Sequence, residues 1–197
     1  MFIFGHTGIT LGAAVAINSI MARRSRKVGK SRGERGASNQ KASLFSLLGG
    51  RVDIRLLFVG SLLPDIIDKP LGLYFFRQTL SNGWLYGHTL LFLLVLSLLG
   101  LYLYRRLKSL WCLTLAFGTL THLIFDQVWL SPRMLLWPIY GFSFPKSDVT
   151  NWAMNYLNGL LSVPMYYVPE IIGMAIVVWF SWVLLRRGDF LEFIRHG

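Results

Sequence analysis

GSLLPDIIDKP, residues 60–70, sits inside an apolar run yet carries Asp65, Asp68 and Lys69 within one and a half helical turns. Two carboxylates in a segment otherwise built for hydrocarbon need a reason. Charged groups in a bilayer cost about 2.5–3.5 kcal/mol each on insertion scales, so they face a bundle interior and have partners. The stretch therefore predicts a helix whose polar side points inward, and the rest of the chain is read for what meets it.

The composition agrees with a membrane setting. Of 197 residues, 54% are hydrophobic and 15% charged, too apolar a balance for an ordinary soluble domain of this length. The expectation is an all-α integral membrane protein: one domain over 1–197, a bundle of about five transmembrane helices with an outer interfacial loop and helix. The apolar spans run roughly over 2–22, 55–74, 88–104, 109–129 and 168–185, each near the length of about 17–25 residues that a hydrocarbon core requires. The first has its arginines after it rather than before it, which reads as a retained anchor rather than a cleaved signal.

Charge orients the bundle. Net charge is +11, and eight of the twenty basic residues fall between Arg23 and Lys41. With five spans, that basic loop (about 23–53), the Arg105-Arg106-Lys108 turn and Arg186-Arg187 share one side, and the positive-inside rule makes it the cytoplasm. The N-terminus is then outside and the C-terminus inside. The 23–41 stretch is expected to touch anionic lipid headgroups, and no nucleic-acid recognition motif accompanies it. The opposite connections hold Trp84, Trp129, Trp137, Trp152, Tyr166 and Tyr167, suited to an interfacial aromatic belt. Residues 129–145, WLSPRMLLWPIYGFSFP, read as an outer loop able to cover a site or grip a lipid, and 152–167 as a shallow interfacial helix.

Counting about 1.5 Å of rise per residue from the cytoplasmic edge, His6, Asp65, Asp68, His88, His122, Asp126 and Glu170 all fall in the outer half of the membrane or at its boundary. Asp65 and Asp68 are spaced i,i+3 and His122 and Asp126 i,i+4, so each pair projects from one helix face. Lys69 is the one cation within the motif. One or two divalent ions, zinc favoured and manganese possible, would neutralise the acids and accept the imidazoles. The single cysteine, Cys112, excludes a thiolate cluster or a disulfide framework. Plainer readings stand beside this one: Asp65 and Asp68 capping a helix broken at Pro64, His122 and Asp126 as an intrahelical pair, Glu170 as a helix N-terminal acid.

The order of motifs resembles a known family. Gly5-His6, then GSLLPD with a second acid at Asp68, then Gly87-His88-Thr89 opening an apolar helix, then His122 and Asp126 followed by Trp137-Pro138, look like the membrane-bound metal-dependent hydrolases. These are grouped with LexA-regulated inner-membrane hydrolases and are similar in pattern to zinc-dependent phospholipase C. The likeness covers roughly 5–138. Where that family often shows L-P-D-x-D-H, here two residues separate the acids and Lys69 stands in the histidine's place.

The resemblance implies a hydrolase with metal ligands drawn from His6, Asp65, Asp68, His88, His122 and Asp126. Asp68 or Glu170 would take a proton and Lys69 would face a developing anion, with a lipid phosphoester at the outer leaflet as substrate. Two other classes remain open: a cation- or proton-coupled transporter using the same acids, and a non-catalytic scaffold stabilised by metal.

Overall fold

The computed structural model describes residues 3–16, 53–146, 151–188, 190, 191 and 193. The basic loop and its expected headgroup contacts lie almost wholly outside these residues. Every regular element among them is helical: α1 (Ile3–Ala16), α2 (Ile54–Pro70), continued by one π turn (Leu71–Phe75), α3 (Leu90–Leu107), α4 (Trp111–Phe125), a 3-10 turn (Val128–Leu130), and then α5 (Pro132–Leu135), α6 (Trp152–Ser162) and α7 (Pro164–Arg187).

Local chemistry explains the boundaries. Asp53 caps α2 by accepting from the Arg55 amide at 2.8 Å, and Thr89 caps α3 by accepting from the Phe92 amide at 3.1 Å. α3 stops at Lys108, which adopts the left-handed conformation (φ 55°), and α7 stops at Gly188 (φ 73°). Helix α2 runs through Pro64, so the alternative of a helix broken there does not hold. The helix instead widens to a π turn directly after Pro70, a second residue that offers no amide hydrogen.

Only α3 and α7 are long and apolar enough by themselves to cross a membrane; α1 and α4 are shorter apolar helices among the described residues. The expected 109–129 span is helical over 111–125 and then breaks at Gln127, whose φ is 53°. Helix α2 reaches about 26 Å at 1.5 Å per residue, but it carries Arg55, Asp65, Asp68 and Lys69 and so does not read as apolar.

Glycines bring the helices together. A Cβ on Gly60 would lie 2.6 Å from the Leu115 carbonyl oxygen, and one on Gly118 would lie 2.6 Å from the Ser61 nitrogen. Helices α2 and α4 therefore touch backbone to backbone, the close approach that small residues permit in lipid. Gly8 and Gly173 do the same for α1 and α7. Leu11, Ile54, Phe180 and Leu184 fill one end between α1, α2 and α7. At the other end Leu85, Met134 and Phe144 pack under Trp84 and Trp137. The 129–145 segment is thus a folded cover with Met134 and Phe144 inside, while Ile139, Tyr140 and Phe142 stand exposed.

Candidate metal centre

The α2–α4 crossing sets the geometry. Because Gly60 and Gly118 let the backbones meet, His122 Nδ1 reaches the Ser61 carbonyl oxygen at 2.6 Å. A carbonyl only accepts, so Nδ1 carries the hydrogen and Nε2 is left with a bare lone pair in the neutral ring. His88, just before α3, meets the Asp68 carboxylate through Nδ1 at 2.7 Å. Its Nε2 is bare for the same reason. The two Nε2 atoms lie 3.2 Å apart, acceptor facing acceptor.

Two carboxylates close the ring. Asp65 Oδ1 is 3.7 Å from His88 Nε2 and 3.8 Å from His122 Nε2. Asp126 Oδ2 is 3.6 Å and 3.4 Å from the same two nitrogens. Ligands about 2.0–2.1 Å from a tetrahedral zinc stand about 3.3–3.4 Å from one another. Five of the six edges, 3.2 to 3.8 Å, are of that size, and all four ligand atoms lie within 4.8 Å of one another, so the four residues could hold one ion. Asp65 Oδ1 is buried with no hydrogen-bond donor. A buried carboxylate oxygen left so is costly, and a cation in the ring removes the cost.

Each ligand is held from behind. Asp68 fixes His88, and the Ser61 carbonyl fixes His122. Lys69 Nζ binds the other oxygen of Asp65 at 2.6 Å. His6 Nε2 lies 3.1 Å from the other oxygen of Asp126, with its ring stacked on His122 at 4.0 Å between centroids. Trp84 stacks on His88 at 5.5 Å. Such outer contacts orient a metal's ligands.

Three sequence expectations are placed differently by this geometry. Asp68 is not in the ring: it accepts from the amides of Leu85, Gly87 and His88 as well as from His88 Nδ1, so both of its oxygens are engaged in hydrogen bonds. Glu170 accepts from the Phe4 and Gly5 amides at 3.1 and 2.9 Å, joining α7 to the first turn of α1, where unpaired amides favour an anion. His6 stands across Asp126 from the four-atom group. The capping alternative for the two acids fails, since Asp68 is 0% exposed and Asp65 points into the ring.

Sequence reading missed Tyr156. Lys69 Nζ lies 5.6 Å from the centre of its ring. Burial, followed by the charges of Asp65, Asp126 and Glu170, pushes the phenol well above its usual range, so it stays protonated beside the site. Ser61 was also missed. Its neighbour Gly60 carried the signal, because a glycine inside an apolar helix marks a close crossing.

Beside the ring is a cavity of about 900 Å3 between α1, the end of α4 and the start of α7. Asp126 and Trp84 are among its lining, and Asp126 is the one charged residue among the described residues there.

A family model described as YdjM inner membrane protein matches residues 1–188, and the chain belongs to that family. No curated protein and no solved structure matches it.

Proposed function

We propose that this member of the YdjM inner membrane protein family is a membrane-embedded metal-dependent hydrolase of a phosphoester, with a membrane lipid as substrate, working at the outer leaflet. The observation that carries the reading is the ring of His88, His122, Asp65 and Asp126 with a ligand, Asp126, also lining a large cavity. A buried ion with no approach would have no use for that opening. The ring fits one divalent cation, zinc favoured and manganese possible. Five spans, with the N-terminus outside and the C-terminus in the cytoplasm, set this ring toward the outer face, with α6 at the interface.

A bound ion would polarise a phosphoryl oxygen and make a water more acidic. The chain's own groups do the rest. His88 and His122 present fixed lone pairs because Asp68 and the Ser61 carbonyl hold their other nitrogens. His6, outside the four-atom group, lies 3.1 Å from Asp126 and orients that carboxylate. Lys69 is about one-third exposed; an ammonium has three donors, and one is used by Asp65. The others face a phosphoryl anion, with the neutral Tyr156 phenol beside them. Asp68 and Glu170 serve as positioning residues.

One observation favours a second reading. Four protein ligands saturate a tetrahedral ion, as in structural zinc sites, whereas catalytic sites keep a position open. In that case the ion only holds α2, α4 and the start of α3 together.

Elemental analysis of the detergent-purified protein beside His122→Ala and Asp65→Ala decides the base of both readings. Stoichiometric metal in the wild type, lost from both variants, is expected. Phosphate release from phospholipid esters by the loaded wild type then selects the hydrolase. Metal without turnover selects the scaffold, and no metal even after addition overturns both.

A further inference from the structure

The cavity beside the ring has a wall unlike an aqueous active site. Ile9, Ile124, Val168 and Ile172 line it, from α1, α4 and α7. Of these, Ile124, Val168 and Ile172 are between 43% and 49% exposed, so the space is continuous with the outer surface of the bundle. Trp129, Leu130 and Tyr166 stand at the same opening, exposed as well. Apolar residues this exposed on α4 and on α7, the longest apolar helix, meet hydrocarbon in an inner membrane protein.

We infer that the space between α4 and α7 is a lateral portal that takes up an acyl chain of a membrane lipid from the surrounding leaflet, with the lipid's polar end at Asp126. Three observations fix this occupant. The portal is continuous with the lipid-facing surface, so acyl chains are the medium at its mouth. Its wall among the described residues is mostly isoleucine, valine, leucine and aromatic, with Gln127, Ser131 and a single charged residue, Asp126, a lining that suits a chain better than a sugar, a nucleotide or a peptide backbone. Its volume, about 900 Å3, lies within the range of about 300–1,000 Å3 that holds a sizeable ligand.

The inference deepens the hydrolase reading by naming how the substrate arrives, and rests on that reading only for what happens to the lipid afterwards. Binding of the chain does not need the metal.

The test uses the full chain in liposomes of phosphatidylethanolamine and phosphatidylglycerol doped with a phospholipid bearing a diazirine in its acyl tail. After irradiation, labelled peptides are mapped by mass spectrometry. Label is expected several-fold denser on residues 124–130 and 164–172 than on α3, which buries only Gly100 and faces lipid. Ile172→Trp and Ile124→Trp, filling the space from opposite walls, are each expected to lower the portal label several-fold. Leu98→Trp on α3 is expected to leave it unchanged. Retained metal content shows that the filled variants are folded. Label no denser at the portal than on α3, or unaffected by both fillings, overturns the inference. His122→Ala separates the two readings: portal labelling that persists without metal supports the portal even where the hydrolase reading has failed, and labelling lost with the metal overturns a portal that binds on its own.

Discussion

Helices α3 and α4 are neighbours, similarly apolar, and buried to opposite degrees. α3, LLFLLVLSLLGLYLYRRL, buries one residue of its eighteen, Gly100. α4, WCLTLAFGTLTHLIF, buries eight of its fifteen, among them Thr114, Gly118, Thr119, Thr121 and His122. In water the larger side chains would be inside. In lipid the tails outside are as apolar as leucine, so bulk gives no reason to turn inward. Small and polar residues go in, because only they allow backbone contact and only they need partners. Thr10 and Thr121 show the second half of that rule, hydrogen-bonded at 2.8 Å between α1 and α4.

That contrast is easiest to break at its tightest point. Gly118→Leu drives a side chain into the α2 backbone and is expected to cost more than the usual 1–3 kcal/mol of overpacking, with loss of the folded protein from detergent and a collapsed thermal transition. An unchanged transition would mean that α2 and α4 do not cross at Gly60. Asp68→Asn keeps the shape of the carboxylate but weakens its grip on His88. Metal affinity should fall about 10–100-fold, read by competition with a chromophoric chelator, and the metal-free protein should also melt earlier, because the new amide NH2 meets a backbone N–H that the carboxylate had accepted from. No change in affinity would place His88 outside the metal's reach.

Thr10→Val removes one interhelical hydrogen bond and should cost about 0.6 kcal/mol, measured by steric trapping or denaturant titration in micelles. Leu98→Ala on α3, where the side chain is 65% exposed, should stay within about 0.5 kcal/mol of wild type. A loss of 2 kcal/mol or more there would show that α3 packs on something other than lipid.

Much of the site was legible because its chemistry is local. The i,i+3 and i,i+4 spacings put Asp65 with Asp68 and His122 with Asp126 on single faces, and the hydrocarbon cost of charge required the faces to meet. What spacing cannot say is which member of a pair points to the centre. Asp68 is claimed by the amides of Leu85, Gly87 and His88, a loop with no periodicity to read. Glu170 is claimed by amides 165 and 166 residues away. The helices were legible as apolar runs, but not their ends: the break at Gln127 and the continuation through Pro64 depend on tertiary partners that hydropathy does not contain.

The bond from Glu170 to Gly5 also orders events in time. It joins the first described helix to the last, across 165 residues, and loop closure over such a distance comes late. During synthesis α2, α3 and α4 are made before α7 exists, and they already bring His88, His122, Asp65 and Asp126. Helix α1 gains its anchor on Glu170 only once α7 has followed. A nascent chain therefore holds the four-residue ring, with α1 joined to α4 through Thr10 and Thr121, before α7 arrives to fasten the first turn of α1.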